Sequence, residues 1–180
     1  MASTGDTRQT RLMSEFQENS DLDARAAVGF RFAVVVSRFN ADITESLLDG
    51  VQTTLAAHGA SSPNIVVYKV PGSFELAMTA ARLVDKRFDA IICLGAIIKG
   101  ETPHFDYLCS SVAHGIQKVA TGSGTPIIWG VLTCEQREHA EARAGGNKGN
   151  KGTEAAIAAI EMVNLFSLIS EGHPEITPSH

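Results

Sequence analysis

Short apolar runs rich in β-branched residues alternate in this chain with longer segments of helical periodicity. Such alternation is typical of βαβ units, because parallel strands need a crossover between them that is usually a helix. The runs predict strands at residues 32–36, 65–70, 90–96 and 126–130. The first and third are apolar almost throughout, as expected of strands covered on both faces. The sequence therefore predicts an α/β fold, a three-layer αβα sandwich with a four-stranded parallel sheet.

Helical periodicity accounts for the segments between these strands. In the first helix, Asp42 and Glu45 have the spacing of a capping box and Gly59 supplies the stop. Two further helices are predicted near residues 73–84 and 106–120. The apolar residues of the first helix recur at helical spacing, namely Ile43, Leu47, Leu48, Val51 and Leu55.

The last helix and the two ends of the chain complete the predicted organisation. The helix should begin after Lys151 with Thr153 as its N-cap. Residues 1–30 and 171–180 show no apolar period, so we expect a mobile N-terminal extension and a flexible tail around one domain at 31–170. The predicted inward-facing residues of the last helix are Ile157, Ile160, Val163 and Phe166.

Composition argues against several functional classes. The chain has 15 Lys and Arg against 20 Asp and Glu, a net charge of −5, so bulk electrostatics do not draw it to nucleic acid. Its continuous apolar runs are shorter than the ~20 residues that cross a bilayer, and its N-terminal segment lacks the apolar stretch of an export signal. The three cysteines form no CxxC pair and are assigned to the core of a protein in a reducing compartment. We expect a cytoplasmic protein without a nucleic-acid or membrane partner.

Motifs for the common cofactors do not occur in the sequence. The histidines show no HExxH spacing and no pairing with cysteine, so no metal site is expected. No GxxxxGK[ST] loop occurs, and no GxGxxG follows a predicted strand. Chemistry that depends on a nucleotide triphosphate or a dinucleotide is therefore disfavoured.

Ligands of open parallel sheets bind beyond the carboxyl ends of the strands, so the loops there hold the candidate residues. Phe39 follows the first strand, where its ring either covers a flat ligand or fastens the first helix to the core. Trp129, placed at the end of the fourth strand, suits a stacking face, a subunit contact or a core anchor. The positions of Phe39 and Trp129 in the sequence do not distinguish between these roles.

Three loops carry polar groups that suit a ligand. Ser73 and its preceding glycine offer backbone N–H groups to a hydroxyl or carbonyl and Glu75 an acceptor for a polyol, although ordinary helix capping also explains them. Residues 100–104 combine backbone donors, a threonine hydroxyl and the imidazole of His104, a set suited to an anion and to proton transfer, the alternative for His104 being a solvated loop histidine. The glycine-rich loop 143–152 adds three cations that either clamp a phosphate or are solvated.

Four segments together resemble the 6,7-dimethyl-8-ribityllumazine synthase family, in the correct order along residues 31–169. They read SRFN, VPGSFE, GAIIKGETPHFDY and RAGGNKGNKG. The resemblance implies a flavodoxin-like fold and the penultimate step of riboflavin biosynthesis. In that step a transferase condenses 5-amino-6-(D-ribitylamino)uracil with 3,4-dihydroxy-2-butanone 4-phosphate and releases phosphate and water. It also implies that no metal or organic cofactor takes part.

Roles for individual residues follow from the same resemblance. It makes His104 the proton carrier and Arg143 the countercharge of the phosphate. The implied substrate-binding residues are Phe39 and Trp129 on the two faces of the pyrimidine ring, Ser73, Phe74 and Glu75 at the ribityl chain, Ala96, Ile97 and Ile98 at the ring edge, Glu101 and Thr102 at the phosphate, and Lys151 near the pyrimidine.

The resemblance further implies an assembly. The family builds its site between adjacent subunits of a ring of five, with the Trp129 side supplied by the neighbour of the Phe39 side. Some members stack twelve rings into a hollow shell, and the compact loop 143–152 leaves a 60-subunit shell open here beside the homopentamer. Family members often have phenylalanine at the position of Trp129, so ring affinity is expected to differ.

Two other readings of the same segments remain at this point. One is a flavodoxin-like protein that holds a flavin or pteridine without turnover. The other is a riboflavin synthase of the archaeal type, which consumes two lumazines. An assay with both substrates together tests the first alternative, because a binding protein forms no lumazine. An assay with the lumazine alone tests the second, because a riboflavin synthase consumes it.

Overall fold

The computed structural model describes residues 22–171 and shows a parallel sheet between two layers of helices. Three short 3-10 turns, Ser62–Asn64, Ser73–Glu75 and Val84–Lys86, join some of the elements. In chain order, the strands and helices are β1 (Phe32–Ser37), α1 (Ala41–Ala57), β2 (Ile65–Val70), α2 (Leu76–Leu83), β3 (Ala90–Ile98), α3 (His104–Ser123), β4 (Ile127–Cys134), α4 (Arg137–Glu141), β5 (Ala144–Gly146), β6 (Gly149–Asn150) and α5 (Lys151–Ser170).

The main sheet has the strand order β2-β1-β3-β4, and all its neighbours pair in parallel. The chain moves from β1 outward to β2 and then returns to the other side of β1, so the order reverses between β1 and β3. Such a reversal opens a crevice at the carboxyl ends of the strands. The predicted fold class is therefore confirmed, and the crevice lies where the sequence placed the candidate loops.

Two apolar clusters, one on each face of the sheet, form the core. Helices α1 and α5 cover one face, where Phe32, Leu47 and Ile160 are fully buried. Helices α2 and α3 cover the other, where Leu76 and Ile91 are fully buried. The central strands β1 and β3 are consequently buried along almost their whole length, as their continuous apolar runs predicted.

Strands β3 and β4 extend further than the sequence predicts. Their pairing continues to Ile98 and Cys134, past the predicted ends at residues 96 and 130. Backbone pairing explains this, since a strand needs only ladder hydrogen bonds and not an apolar side chain at each position. The placement of Trp129 at the end of a strand was therefore wrong, because it is the third residue of β4.

Two predicted helix caps were also wrong. Asn40, in the left-handed region at φ 57°, precedes α1, and no capping box forms around Asp42. The Asn40 side chain instead donates from Nδ2 to the Ala96 carbonyl at 2.9 Å and so ties the loop after β1 to β3. At α5 the cap is Asn150, whose Oδ1 accepts from the Gly152 N–H at 2.8 Å, and not Thr153. Asn40 and Asn150 each also bond to a residue far away in the chain, Ala96 and Ser46 respectively, and these contacts hold both caps in place.

Asn40 is expected to show its double role in a pair of variants. Asn40→Ala should destabilise the fold by about 2 kcal/mol, because alanine costs roughly 1–2 kcal/mol in the left-handed region and the bond to Ala96 is lost as well. Asn40→Gly should cost clearly less, since glycine tolerates this backbone conformation. Urea unfolding of both variants measures the difference, and equal losses would contradict the backbone part of the explanation.

Residues 22–30 were assigned to the mobile extension, but the structure packs them on the domain. Ala27 is fully buried and its N–H donates to the His58 carbonyl at 2.9 Å. Asn164 of α5 donates from Nδ2 to the Ala26 carbonyl, also at 2.9 Å. The packed part of the chain therefore begins before residue 31. The predictions for residues 1–21 and 172–180 lie outside the described residues.

Helix α5 differs from its prediction near its end. Its buried residues stop at Val163, so Phe166, 36% exposed, does not face the core as predicted. Among residues 22–171, α5 alone is long and apolar enough to cross a membrane, which is weak evidence because core helices pass the same test. The contact of its buried face with α1 and the sheet is that of a core helix.

Candidate active site

A pocket of about 630 Å³ runs along the outer edge of β4, between that strand and α5. Trp129 lines it from the strand, and Arg143 and Lys151 line it from the two ends of the β5–β6 hairpin. The other polar residues of its lining are Thr133, Cys134, Glu135, His139 and Glu154. Three of the residues singled out in the sequence thus share one cavity.

The β5–β6 hairpin brings the backbones of Arg143 and Lys151 together. The Lys151 N–H donates to the Arg143 carbonyl at 2.8 Å, so both residues stand at the base of the hairpin. The hairpin is anchored on α1, because the Ser46 hydroxyl donates to the Ala144 carbonyl and Asn150 Nδ2 donates to the Ser46 carbonyl at 2.8 Å. The glycine-rich loop 143–152 is therefore an ordered support for the pocket.

Electrostatics distinguish the two cations. Lys151 Nζ lies 2.6 Å from Glu154 Oε2 in a partly buried ion pair. Arg143 donates from Nη1 to the His139 carbonyl at 3.0 Å and pairs with no carboxylate within residues 22–171. Burial raises the pKa of the Cys134 thiol, and the positive charge of Arg143 opposes this rise only in part. The Arg143 guanidinium is thus the cation in this pocket that remains open to an anion.

A second group of candidate residues lies at the carboxyl ends of β1 and β2. Phe39 and Phe74 are 69% and 62% exposed, so both rings are presented to solvent. Ser73 is buried beside Gly95, where an added Cβ would lie 2.6 Å from the Ser73 hydroxyl. Glu75 accepts at Oε2 from the backbone N–H of the preceding glycine at 2.9 Å. The 3-10 turn is thereby fixed, and the rings of Phe74 within it and of Phe39 after β1 remain exposed.

The loop from β3 to α3 continues this second group. Ala96 and Ile97 are buried in β3, and Ile98 is half-buried at its end. The side chains that the sequence assigned to anion binding and proton transfer, Glu101, Thr102 and His104, are all exposed, and none makes a hydrogen bond to the described part of the chain. His104 is the first residue of α3, so its imidazole stands at the positive end of a long helix.

The two groups of candidate residues do not share a cavity within one chain. Trp129 is level with Cys93 and Val35 across the sheet, two strand spacings or about 10 Å from β1. Phe39 follows the end of β1, in the turn before α1. The second group adjoins the pocket through strand pairing, since Ala96, Ile97 and Ile98 of β3 pair with Leu132, Thr133 and Cys134 of β4, but no residue of the group lines the pocket itself. The candidate residues of one chain therefore form two groups, and neither group contains every predicted residue.

A family model provides the comparison that decides the family. The model of 6,7-dimethyl-8-ribityllumazine synthase matches residues 29–167, nearly the whole described domain. The chain belongs to this family. Membership confirms the resemblance found in the sequence and makes the chain a 6,7-dimethyl-8-ribityllumazine synthase, a transferase of riboflavin biosynthesis that acts on small molecules. The alternative of a binding protein without turnover is thereby set aside.

Several residues that shape these candidate surfaces were not found from the sequence. Glu154 was missed, although its i,i+3 spacing from Lys151 on a helix was a readable signal. Asn40 and Asn150 were missed because their partners are 56 and 104 residues away. Within residues 22–171 no three His, Cys, Asp or Glu side chains cluster to hold a metal. Cofactor independence stays a prediction.

Proposed function

We propose that this chain condenses 5-amino-6-(D-ribitylamino)uracil with 3,4-dihydroxy-2-butanone 4-phosphate to 6,7-dimethyl-8-ribityllumazine, with release of phosphate and water. One observation carries the proposal. The β4 pocket is lined by an indole and by a guanidinium that pairs with no carboxylate of residues 22–171, whereas the imidazole of His104 and the phenyl rings of Phe39 and Phe74 are exposed outside that pocket. A two-substrate condensation between subunits uses both surfaces at once.

The β4 pocket supplies the aromatic wall and the countercharge in this proposal. Trp129 stacks on one face of the pyrimidine ring, and Lys151 stands near that ring. Arg143 binds the phosphate, because a planar guanidinium offers paired donors that match phosphate oxygens. Since no carboxylate of residues 22–171 pairs with the guanidinium, no ion pair within that part of the chain has to break before phosphate binds.

The second surface supplies the other wall and the proton carrier. Phe39 covers the opposite face of the ring, the backbone of Ala96, Ile97 and Ile98 meets its edge, and Ser73, Phe74 and Glu75 hold the ribityl chain. Glu101 and Thr102 contact the phosphate. His104 carries protons as the amine adds to the ketone carbonyl, water leaves and phosphate departs. Holding amine and carbonyl together supplies much of the rate as effective concentration.

Closure of such a site requires a second subunit. We propose a homopentamer as the smallest active assembly, with the β4 pocket of one subunit facing the second surface of its neighbour. A 60-subunit shell remains open beside it, and a cytoplasmic location is proposed from the composition. Sedimentation of the purified protein, with activity measured across the peak, tests the assembly. Full activity of a sedimenting monomer would contradict the shared site.

The reaction is tested by mixing both substrates with the purified protein. Lumazine fluorescence should rise while inorganic phosphate appears in equal amount. The lumazine alone should yield no riboflavin, which separates this reaction from that of an archaeal-type riboflavin synthase. Phosphate release without fluorescence, or riboflavin from lumazine alone, would contradict the proposal.

Arg143→Ala is expected to act mainly on capture of the phosphorylated substrate. A hydrogen bond to a charged group contributes about 1.5–3 kcal/mol, so KM for the butanone phosphate should rise by roughly 10- to 100-fold with a smaller change in kcat. Steady-state kinetics with each substrate varied in turn provide the measurement. Arg137→Ala is the matched control, because that arginine pairs with Asp42 and Glu141 outside the pocket. A similar KM rise in the control would contradict the assignment.

A further inference from the structure

Glu154 is a pocket residue to which neither the sequence nor the family description gives a role. It lies in the first turn of α5, and its Oε2 accepts from Lys151 Nζ at 2.6 Å. The side chains of Lys151 and Glu154 are 26% and 29% exposed, so the ion pair is largely withdrawn from solvent. Both residues line the cavity that also contains Trp129 and Arg143.

The position of Lys151 makes its partner important. Lys151 is the first residue of α5, where the free N–H groups of the helix make a cation unfavourable. Gly152, directly after it, packs so closely on α1 that an added Cβ would lie against the Leu47 carbonyl. The helix start cannot move to relieve the charge, so the carboxylate of Glu154 compensates it in place.

The charged groups that line the pocket are not equally available to a ligand. Its two carboxylates are both engaged, Glu135 with Lys99 at 3.0 Å and Glu154 with Lys151 at 2.6 Å. Of its two fixed cations, Lys151 is therefore neutralised within the described structure and Arg143 is not. A phosphate dianion that enters this pocket is therefore attracted mainly by Arg143 and less by Lys151.

We propose that Glu154 is a specificity-determining and positioning residue that acts through Lys151. It holds the ammonium group beside Trp129 as a donor for a neutral ring carbonyl, and it prevents that group from competing with Arg143 for phosphate. The pocket is thereby divided into a phosphate half at Arg143 and a pyrimidine half at the Lys151–Glu154 pair. This inference rests on the proposed function, because the two halves are assigned to the two proposed substrates.

The test is Glu154→Gln, which keeps the length and polarity of the side chain and removes its charge. Freed from its partner, Lys151 should attract inorganic phosphate, so phosphate affinity measured by calorimetry should rise roughly tenfold. KM for the ribitylaminouracil should rise by a similar factor, since the ammonium is no longer held at the ring, while kcat changes less. Glu161→Gln is the matched control, because Glu161 is an exposed residue of the same helix that does not line the pocket.

A second variant separates this role from simple helix stabilisation. If Glu154 acts through Lys151, Glu154→Gln should change neither phosphate affinity nor KM when added to Lys151→Met, because the pair would be coupled. A lower melting temperature with phosphate affinity and KM equal to those of the Glu161 control would overturn the proposal. Phosphate titration needs no turnover, so it decides the role of Glu154 even if the wild-type protein makes no lumazine, the result that would refute the proposed function.

Discussion

His104→Ala should lower kcat for lumazine formation by about 10²- to 10⁴-fold, the usual contribution of a positioned acid–base group. KM for both substrates should change little, because the imidazole lies beside the binding groups and is not the phosphate countercharge. Stopped-flow fluorescence of the lumazine measures the loss. His114→Ala on the same helix is the control, since His114 is exposed and its ring contacts only Ser110 within the described structure.

The different roles proposed for His104 and Arg143 make this prediction more specific. His104→Ala should act on kcat and Arg143→Ala on capture, so an equal collapse of both variants with intact folding would contradict it. If the two surfaces belong to neighbouring subunits, rings reassembled from a one-to-one mixture of both variants should regain intact sites at about one interface in four. A mixture no more active than either variant would exclude sharing of the site.

Gly152→Ala should destabilise the protein by about 3 kcal/mol or more, because overpacking against backbone leaves no flexible side chain to move aside. The added Cβ would contact the Leu47 carbonyl oxygen and carbon of α1, so α5 must shift as a whole. That shift would displace Lys151 and Glu154 together, and the variant should therefore also bind the ribitylaminouracil more weakly. Denaturant unfolding and KM measurements follow the two effects.

Gly122→Ala is the matched control for this packing effect. Gly122 lies within α3, and an added Cβ there meets nothing within 4 Å. Alanine at such a position should stabilise the helix by roughly 0.5–1 kcal/mol, because glycine loses more backbone freedom on folding. Unfolding of Gly152→Ala at the denaturant midpoint of the wild type would show that α1 and α5 are not in the close contact described.

Local patterns in the sequence predicted much of the fold. The alternation of apolar and helical segments predicted the sheet, and β2 begins and ends where its apolar run does, at Ile65–Val70. The resemblance that named the family also came from short segments. Prediction failed where the deciding partner was distant in sequence, as for Asn40, which caps α1 but bonds to β3, and for the length of β4, which follows its pairing with β3.

Periodicity and short motifs are local properties, so the layers of the fold, the edge at which the candidate loops gather and the family can all be predicted from the order of the amino acids. Which candidates share a cavity emerges from the folded chain. The fold placed Trp129 in the middle of an edge strand and joined Arg143 to Lys151 across a hairpin anchored on α1. It also left His104 and Phe39 on another surface. The physical reason is that side-chain proximity depends on strand order, register and helix packing, which arise from contacts between residues far apart in the chain.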